Sequence, residues 1–220
     1  MKRAAVALVM LITVHAGSRL PQPFVPADNP QNPSKIQLGR YLFYDKRMSV
    51  NGSSSCATCH RQELAFTDGR AQAVGATQQT HPRSSMSLVN VAYNGLFNWS
   101  DPTVHSLEEQ ALKPMLSTNP VELGMSFIQA DFIKLIRSDA TYRPQFRLSF
   151  PGQPDPYTIP NIARALATFE RTIVSANSPY DRFHFEGDES ANLRVREAGR
   201  DPVLPRRRPV VLSLPRRIQF

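Results

Sequence analysis

The spacing of apolar residues along this chain predicts a helical fold. Leu, Ile and Phe recur three or four positions apart in four stretches, which is the period of one face of an α-helix. The stretches are residues 34–45, where Ser34 is the expected cap, and residues 107–115, 126–138 and 159–176, of which the last is the longest. The pattern therefore predicts an all-α fold.

Polar or proline-rich stretches separate and flank these helices. Residues 61–105 are rich in Gly, Ser, Asn and Thr, and residues 144–156 hold several prolines, so both are predicted as loops. Residues 17–33 are Pro-rich and without a period, which predicts an extended leader rather than a packed element. Residues 193–220 are rich in Arg and Pro and also lack a period, so this tail is either disordered or the product of a lost reading frame.

The first 16 residues have the pattern of a secretory signal peptide. Lys2 and Arg3 precede an apolar run over residues 4–14, and the small residue Ala16 follows it. The run is too short to span a bilayer. A buried N-terminal helix is the alternative. A signal peptide predicts a periplasmic mature chain that has no membrane span after its removal.

The net charge of +8 at first suggests a nucleic-acid partner. Residues 194–220, however, hold eight arginines against two acidic residues, and Lys2 and Arg3 add two more positive charges. The remaining body is close to neutral, and it does not interleave basic and aromatic residues as single-strand-binding surfaces do. The sequence therefore argues against nucleic-acid binding.

The motif Cys56-Ala57-Thr58-Cys59-His60 is the pattern of covalent haem attachment. Two thiols three positions apart reach the two vinyl groups of one porphyrin, and the adjacent imidazole can bind the iron. A thioredoxin-like redox pair needs a βαβ context and has no use for His60. A zinc site would lack a fourth ligand, because the chain has only these two cysteines. The motif predicts one haem c, held by Cys56, Cys59 and His60, in a cytochrome c-like domain over residues 34–192.

The ligand on the other face of the iron decides what such a haem does. A methionine or a second histidine there gives electron transfer, whereas an open position beside an acid/base residue gives peroxide chemistry. Any one of the candidate ligands is more often an ordinary loop or core residue; they are His81, His105, Met86, Met115 and Met125.

Several motifs, in order, resemble the N-terminal haem domain of bacterial di-haem cytochrome c peroxidases. That superfamily includes the methylamine dehydrogenase maturation enzyme and the methanobactin-associated enzymes, which oxidise residues of partner proteins. The likeness covers about residues 34–190. It is carried by Leu38-Gly39-Arg40-Tyr41-Leu42-Phe43-Tyr44-Asp45, the haem motif, Ala65-Phe66-Thr67-Asp68-Gly69, Leu88-Val89-Asn90-Val91-Ala92-Tyr93-Asn94, Asn119-Pro120-Val121-Glu122-Leu123-Gly124 and Phe169-Glu170-Arg171-Thr172-Ile173.

The resemblance implies roles for three further residues. Glu122 matches the acid/base residue above the peroxide-binding iron, Gln110 matches a glutamine of the same distal pocket, and Trp99 matches a relay between the two haems. Without the resemblance, Glu122 would be a solvated or helix-capping carboxylate, Gln110 a surface amide and Trp99 a core anchor.

The chain also departs from the family pattern. A second Cys-x-x-Cys-His motif is absent, and the Arg/Pro-rich tail begins about where the second haem domain is expected. Some members close the resting iron with a histidine before Asn90, for which His81 is the candidate. The family binds calcium partly through an asparagine whose place Ser84 takes here, which argues against calcium.

Taken together, the sequence predicts a peroxidase-like oxidoreductase with hydrogen peroxide as oxidant. The resemblance implies electrons from a small cytochrome c or a cupredoxin, or from an oxidisable residue of a partner protein. A mono-haem electron carrier with a methionine ligand is the alternative from a different class. An inactive truncated remnant is a third reading.

Overall fold

The computed structural model describes residues 20–98 and 100–191. The predicted signal peptide, the Arg/Pro-rich tail and Trp99 lie outside the described residues. Seven α-helices span the described chain: α1 Pro33–Tyr44, α2 Cys56–Cys59, α3 Leu107–Leu116, α4 Gln129–Ser138, α5 Tyr142–Ser149, α6 Ile159–Glu170 and α7 Pro179–Glu186. Within this part of the chain, β-structure is limited to isolated bridges, so the predicted all-α class is confirmed.

Gln22–Ser175 form one compact unit around a core built from α1, α3, α5 and α6. Helix α1 packs so closely on α6 that a Cβ built on Gly39 would lie 1.9 Å from the carbonyl oxygen of Ala165. Leu38, Leu42 and Phe43 of α1 and Ile162 and Leu166 of α6 are almost completely buried. These two helices therefore form the scaffold of the domain. A second unit includes α7 and residues 176–191.

Several predicted boundaries are wrong. Helix α1 is capped by Asn32, whose side chain accepts from the Lys35 N–H, and not by Ser34. Helix α5 occupies part of the predicted 144–156 loop, because Pro144 lies in its first turn, where proline costs no hydrogen bond. Helix α6 ends at Glu170 and not at residue 176.

The Pro-rich segment before α1 is packed at its C-terminal end, contrary to the prediction of an unpacked leader. The Asn29 side chain is fully buried and donates to the Arg164 carbonyl oxygen at 3.1 Å. The Lys35 ammonium donates to Asn29 Oδ1 at 2.9 Å and to the Pro30 carbonyl oxygen at 2.8 Å. Residues 29–33 thus belong to the folded domain.

Within residues 20–98 and 100–191, no helix is both long enough and apolar enough to cross a bilayer.

Candidate haem site

The two cysteines and the histidine of the motif lie on and beside one short helix. Helix α2 is a single turn, in which the Ser55 N–H donates to Thr58 Oγ1 at 2.9 Å, and His60 follows directly. One turn places residues three positions apart on neighbouring positions of the same face. Cys56 and Cys59 can therefore bond to one porphyrin.

The His60 imidazole is oriented by the loop that follows it. His60 Nδ1 lies 2.9 Å from the Phe66 carbonyl oxygen. Ala65 and Phe66 both have left-handed backbone angles, with φ of 56° and 59°, which turn the chain back toward His60. With Nδ1–H donating to that carbonyl, the lone pair of Nε2 is the one available to iron. Burial lowers the pKa of His60, which favours the neutral form that a metal requires.

The surroundings of the two thiols favour their protonated forms over the thiolates. Burial raises the pKa of Cys56, and the nearby Glu170 carboxylate adds to the effect. Burial also raises the pKa of Cys59, with a contribution from Asp68. Redox-active and zinc-binding cysteines have lowered pKa values instead. Among the described residues, no cluster of three or more His, Cys, Asp or Glu side chains is placed to hold a metal ion.

A large open cavity lies against the motif. About 1300 Å³ of space lies within its walls, a volume that includes the solvent at its open side. Its walls bring together residues far apart in sequence, among them Cys56, Cys59, His60, His81, Arg83, Gln110, Glu122 and Glu170. The cavity, the free thiols and the oriented imidazole fit a covalently bound haem.

Glu122 is held at the cavity by its backbone. Its carbonyl oxygen accepts from the Ala76 N–H at 2.7 Å. The adjacent Gly75 permits this approach, because a Cβ there would lie 1.9 Å from the Val121 carbonyl oxygen. Burial raises the pKa of the Glu122 carboxyl, and the neighbouring His81 opposes the rise. Its Oε1 lies 3.8 Å from His81 Nδ1.

Gln110 reaches the same cavity from α3. Asn98 donates to its amide oxygen at 3.1 Å, which fixes the orientation of the amide. The structure therefore brings Gln110 and Glu122 to the wall that also holds the haem motif. Trp99, the third residue named from the sequence, is not among the described residues.

The five candidate iron ligands differ in whether they line the cavity. Met115 and Met125 are fully buried in the core and do not line the cavity, and His105 is exposed. Met86 lines the cavity. His81 lines the cavity, and its Nε2 is buried without a hydrogen-bond partner among the described residues.

One cavity residue, Glu170, received no role from the sequence. It follows Leu166 by four positions and Ile162 by eight, so it continues the buried face of α6, and this spacing was the available signal. Burial raises its pKa to about 8. Ser84, the position at issue for calcium, also lies on the cavity wall.

Residues 33–190 match the family model described as di-haem cytochrome c peroxidase. The chain belongs to this family. It is 39% identical over 166 residues to the methylamine utilization protein MauG of Methylorubrum extorquens, and the match covers 76% of this chain and 45% of that protein. It is 33% identical over 167 residues to the cytochrome c551 peroxidase of Nitrosomonas europaea, with 76% and 48% covered.

A solved structure agrees with these relatives. The crystal structure of a MauG-like protein associated with microbial copper homeostasis superposes with a TM-score of 0.74 at 40% identity, covering 77% of this chain and 48% of that one. The chain thus spans about half the length of the relatives it matches. Membership of this family implies haem c as the cofactor.

Proposed function

We propose that residues 34–192 are the N-terminal haem domain of a peroxidase-type oxidoreductase. One haem c is bonded to Cys56 and Cys59, and His60 is its iron ligand. Hydrogen peroxide is the oxidant. The observation that supports this most strongly is that the acid/base candidate Glu122 and the amide of Gln110 line the same cavity as the haem motif.

When bound, the haem supplies an iron that binds peroxide and exchanges electrons. The Glu122 carboxylate would take a proton from one peroxide oxygen and return it to the other, which leaves as water. Its raised pKa suits this task, because a carboxyl that titrates nearer neutral pH both accepts and releases the proton readily. Gln110, its amide oriented by Asn98, positions the peroxide by hydrogen bonding.

The electron source and the location belong to the same proposal. Electrons come from a small cytochrome c or a cupredoxin, or from an oxidisable residue of a partner protein. The mature domain is periplasmic, exported by the signal peptide of residues 1–16. The domain holds one haem, and Trp99 relays electrons. Calcium is not part of the proposal, because Ser84 stands in the place of the family asparagine.

A substitution that removes only the proton-transferring group tests this function. Glu122→Gln keeps the size and the hydrogen-bonding capacity of the side chain, so haem attachment should be unchanged. The rate at which peroxide alters the Soret band should fall by about 10²–10⁴-fold, the usual contribution of general acid–base catalysis. The control Glu63→Gln removes a carboxylate that pairs with Arg61 at the surface. An unchanged peroxide rate in Glu122→Gln contradicts the role of Glu122.

The mono-haem carrier remains the second candidate, and the buried Nε2 of His81 favours it. Of the candidate ligands named from the sequence, Met86 and His81 line the cavity, so a carrier would use one of these two as its sixth ligand. Such a protein shows a low-spin, six-coordinate spectrum that does not respond to peroxide. A spectral response to peroxide in His81→Ala and in the wild type alike excludes it.

A further inference from the structure

A short chain of aromatic rings leads from the His60 imidazole to the protein surface. The centroids of the His60 and Phe43 rings lie 6.5 Å apart, with a tilt of 42° between the ring planes. The centroids of Phe43 and Tyr44 lie 5.3 Å apart in an edge-to-face arrangement. Phe43 is fully buried, whereas Tyr44 is 45% exposed. Two ring-to-ring steps therefore connect His60 to a surface phenol.

The position of these residues in α1 explains the arrangement. Consecutive residues of a helix point about 100° apart, so Phe43 faces the core and Tyr44 faces outward. The Phe43 ring is fixed by edge-to-face contacts with Phe66 at 6.2 Å and Phe169 at 5.2 Å. The middle ring of the path is thus held rigidly.

We propose that Tyr44 is a redox-active residue that gives up an electron to the haem site after peroxide has oxidised it. This inference rests on the proposed function. The electron passes through the Phe43 ring, which is a bridge and is not itself oxidised. The phenol loses its proton to solvent, because the adjacent Asp45 carboxylate already accepts from Arg47 and from the Tyr142 hydroxyl.

One hydrogen peroxide and two Tyr44 phenols, from two chains, give two neutral tyrosyl radicals and two waters. The two radicals then couple through ring carbons ortho to the hydroxyls, and the rings regain aromaticity to give one dityrosine. Peroxide is the oxidant throughout, and no further reactant is needed.

Two other tyrosines of the domain, Tyr142 and Tyr41, are not joined to the His60 ring through Phe43. Tyr142 packs on Phe146 instead. Tyr41 lies one turn earlier on α1 and is 41% exposed, yet it takes part in none of these contacts. Tyr41 is therefore a matched control for exposure and position.

The experiment treats the haem-loaded protein with hydrogen peroxide in the absence of any electron donor. Three signals are followed: the Soret band, dityrosine fluorescence, and the cross-linked tryptic peptides identified by mass spectrometry. We expect a Tyr44–Tyr44 cross-link in the wild type and in Tyr41→Phe. Tyr44→Phe, which keeps the ring, should lose the cross-link, while the initial Soret change caused by peroxide keeps its wild-type rate.

The outcomes separate the inference from the function on which it rests. A Soret response with no product at Tyr44, or with the oxidation product at Trp99 or another tyrosine instead, overturns the role of Tyr44 and leaves the proposed function standing. The absence of any Soret response in the wild type overturns the proposed function itself, and the role of Tyr44 with it.

Discussion

At the scale of single residues, two carboxyls on the haem cavity lie in surroundings that favour their protonated forms. Burial raises the pKa of Glu122, and it raises that of Glu170 to about 8. The guanidinium of Arg171 opposes this rise in the pKa of Glu170. Its two terminal nitrogens, however, donate to the Glu108 carboxylate, at 2.7 and 2.8 Å. The surroundings of Glu170 therefore favour its protonated form at the cavity wall.

This raised pKa makes the stability of the domain depend on pH. An unfolded glutamate titrates near 4.5, so between pH 4.5 and about 8 the folded state binds the proton more tightly than the unfolded state. The contribution of Glu170 to stability is full below pH 4.5 and is lost as pH rises through 8. Glu170→Gln should thus weaken the fall in unfolding free energy from pH 5 to 8, measured by urea titration of the haem-loaded protein. The surface variant Glu63→Gln should keep the wild-type slope; equal slopes in Glu170→Gln and the wild type contradict the prediction.

At the scale of elements, apolar spacing located the main helices, but local chemistry decided where they end. Pro144 appeared to mark a loop, yet a proline in the first turn leaves the hydrogen bonds of α5 intact. The start of α7 carried a usable signal that periodicity does not show: Ser178 and Asp181 form a reciprocal cap around Pro179. The end of α6 had no such signal. The chain leaves the helix there, and Asn90 binds the backbone of residues 173–175 instead.

The packing of α1 on α6 gives a test at the same scale. A methyl group on Gly39 would collide with the α6 backbone at Ala165, which cannot move like a flexible side chain. Gly39→Ala should lower the free energy of unfolding by about 1–3 kcal/mol or more, the cost of overpacking a core. A Cβ on Gly95 meets nothing within 4 Å, so Gly95→Ala should change stability by no more than about 0.5 kcal/mol. Equal unfolding midpoints for the two variants in urea would show that the helices can separate without cost.

At the scale of the whole molecule, the haem motif could be recognised from the sequence because its five residues are consecutive. The cavity could not, because its walls come from residues far apart in the sequence. His60, His81, Gln110, Glu122 and Glu170 reach one cavity only through the packing of α3 and α6 and through the loop contacts of Gly75. Composition and periodicity contain no signal for such long-range placement. For Gln110 and Glu122 the family resemblance supplied the expectation, whereas for Glu170 the helical spacing indicated burial but not the cavity.

One polar network joins distant parts of the domain, and its carboxylate carries the last prediction. Glu108 of α3 forms a two-bond ion pair with Arg171, which follows α6, and also accepts from Asn29 of the N-terminal segment. The Arg171 side chain is only 4% exposed. Burial alone would raise the pKa of Glu108, but the hydrogen bonds from Arg171 and Asn29 lower it below its usual value.

Glu108→Gln leaves the Arg171 guanidinium buried without its counter-charge, which typically costs about 3–5 kcal/mol. Because the folded pKa of Glu108 lies below the unfolded one, its contribution is present above the unfolded pKa and is lost as pH falls through the folded value. The variant should therefore be less stable than the wild type at pH 7, and the two should converge in acid. The control Glu109→Gln alters the exposed neighbour on α3, and its acid slope should match the wild type. Urea unfolding between pH 3 and 7 measures both effects, and a constant difference across that range would show that Glu108 does not carry its charge in the folded domain.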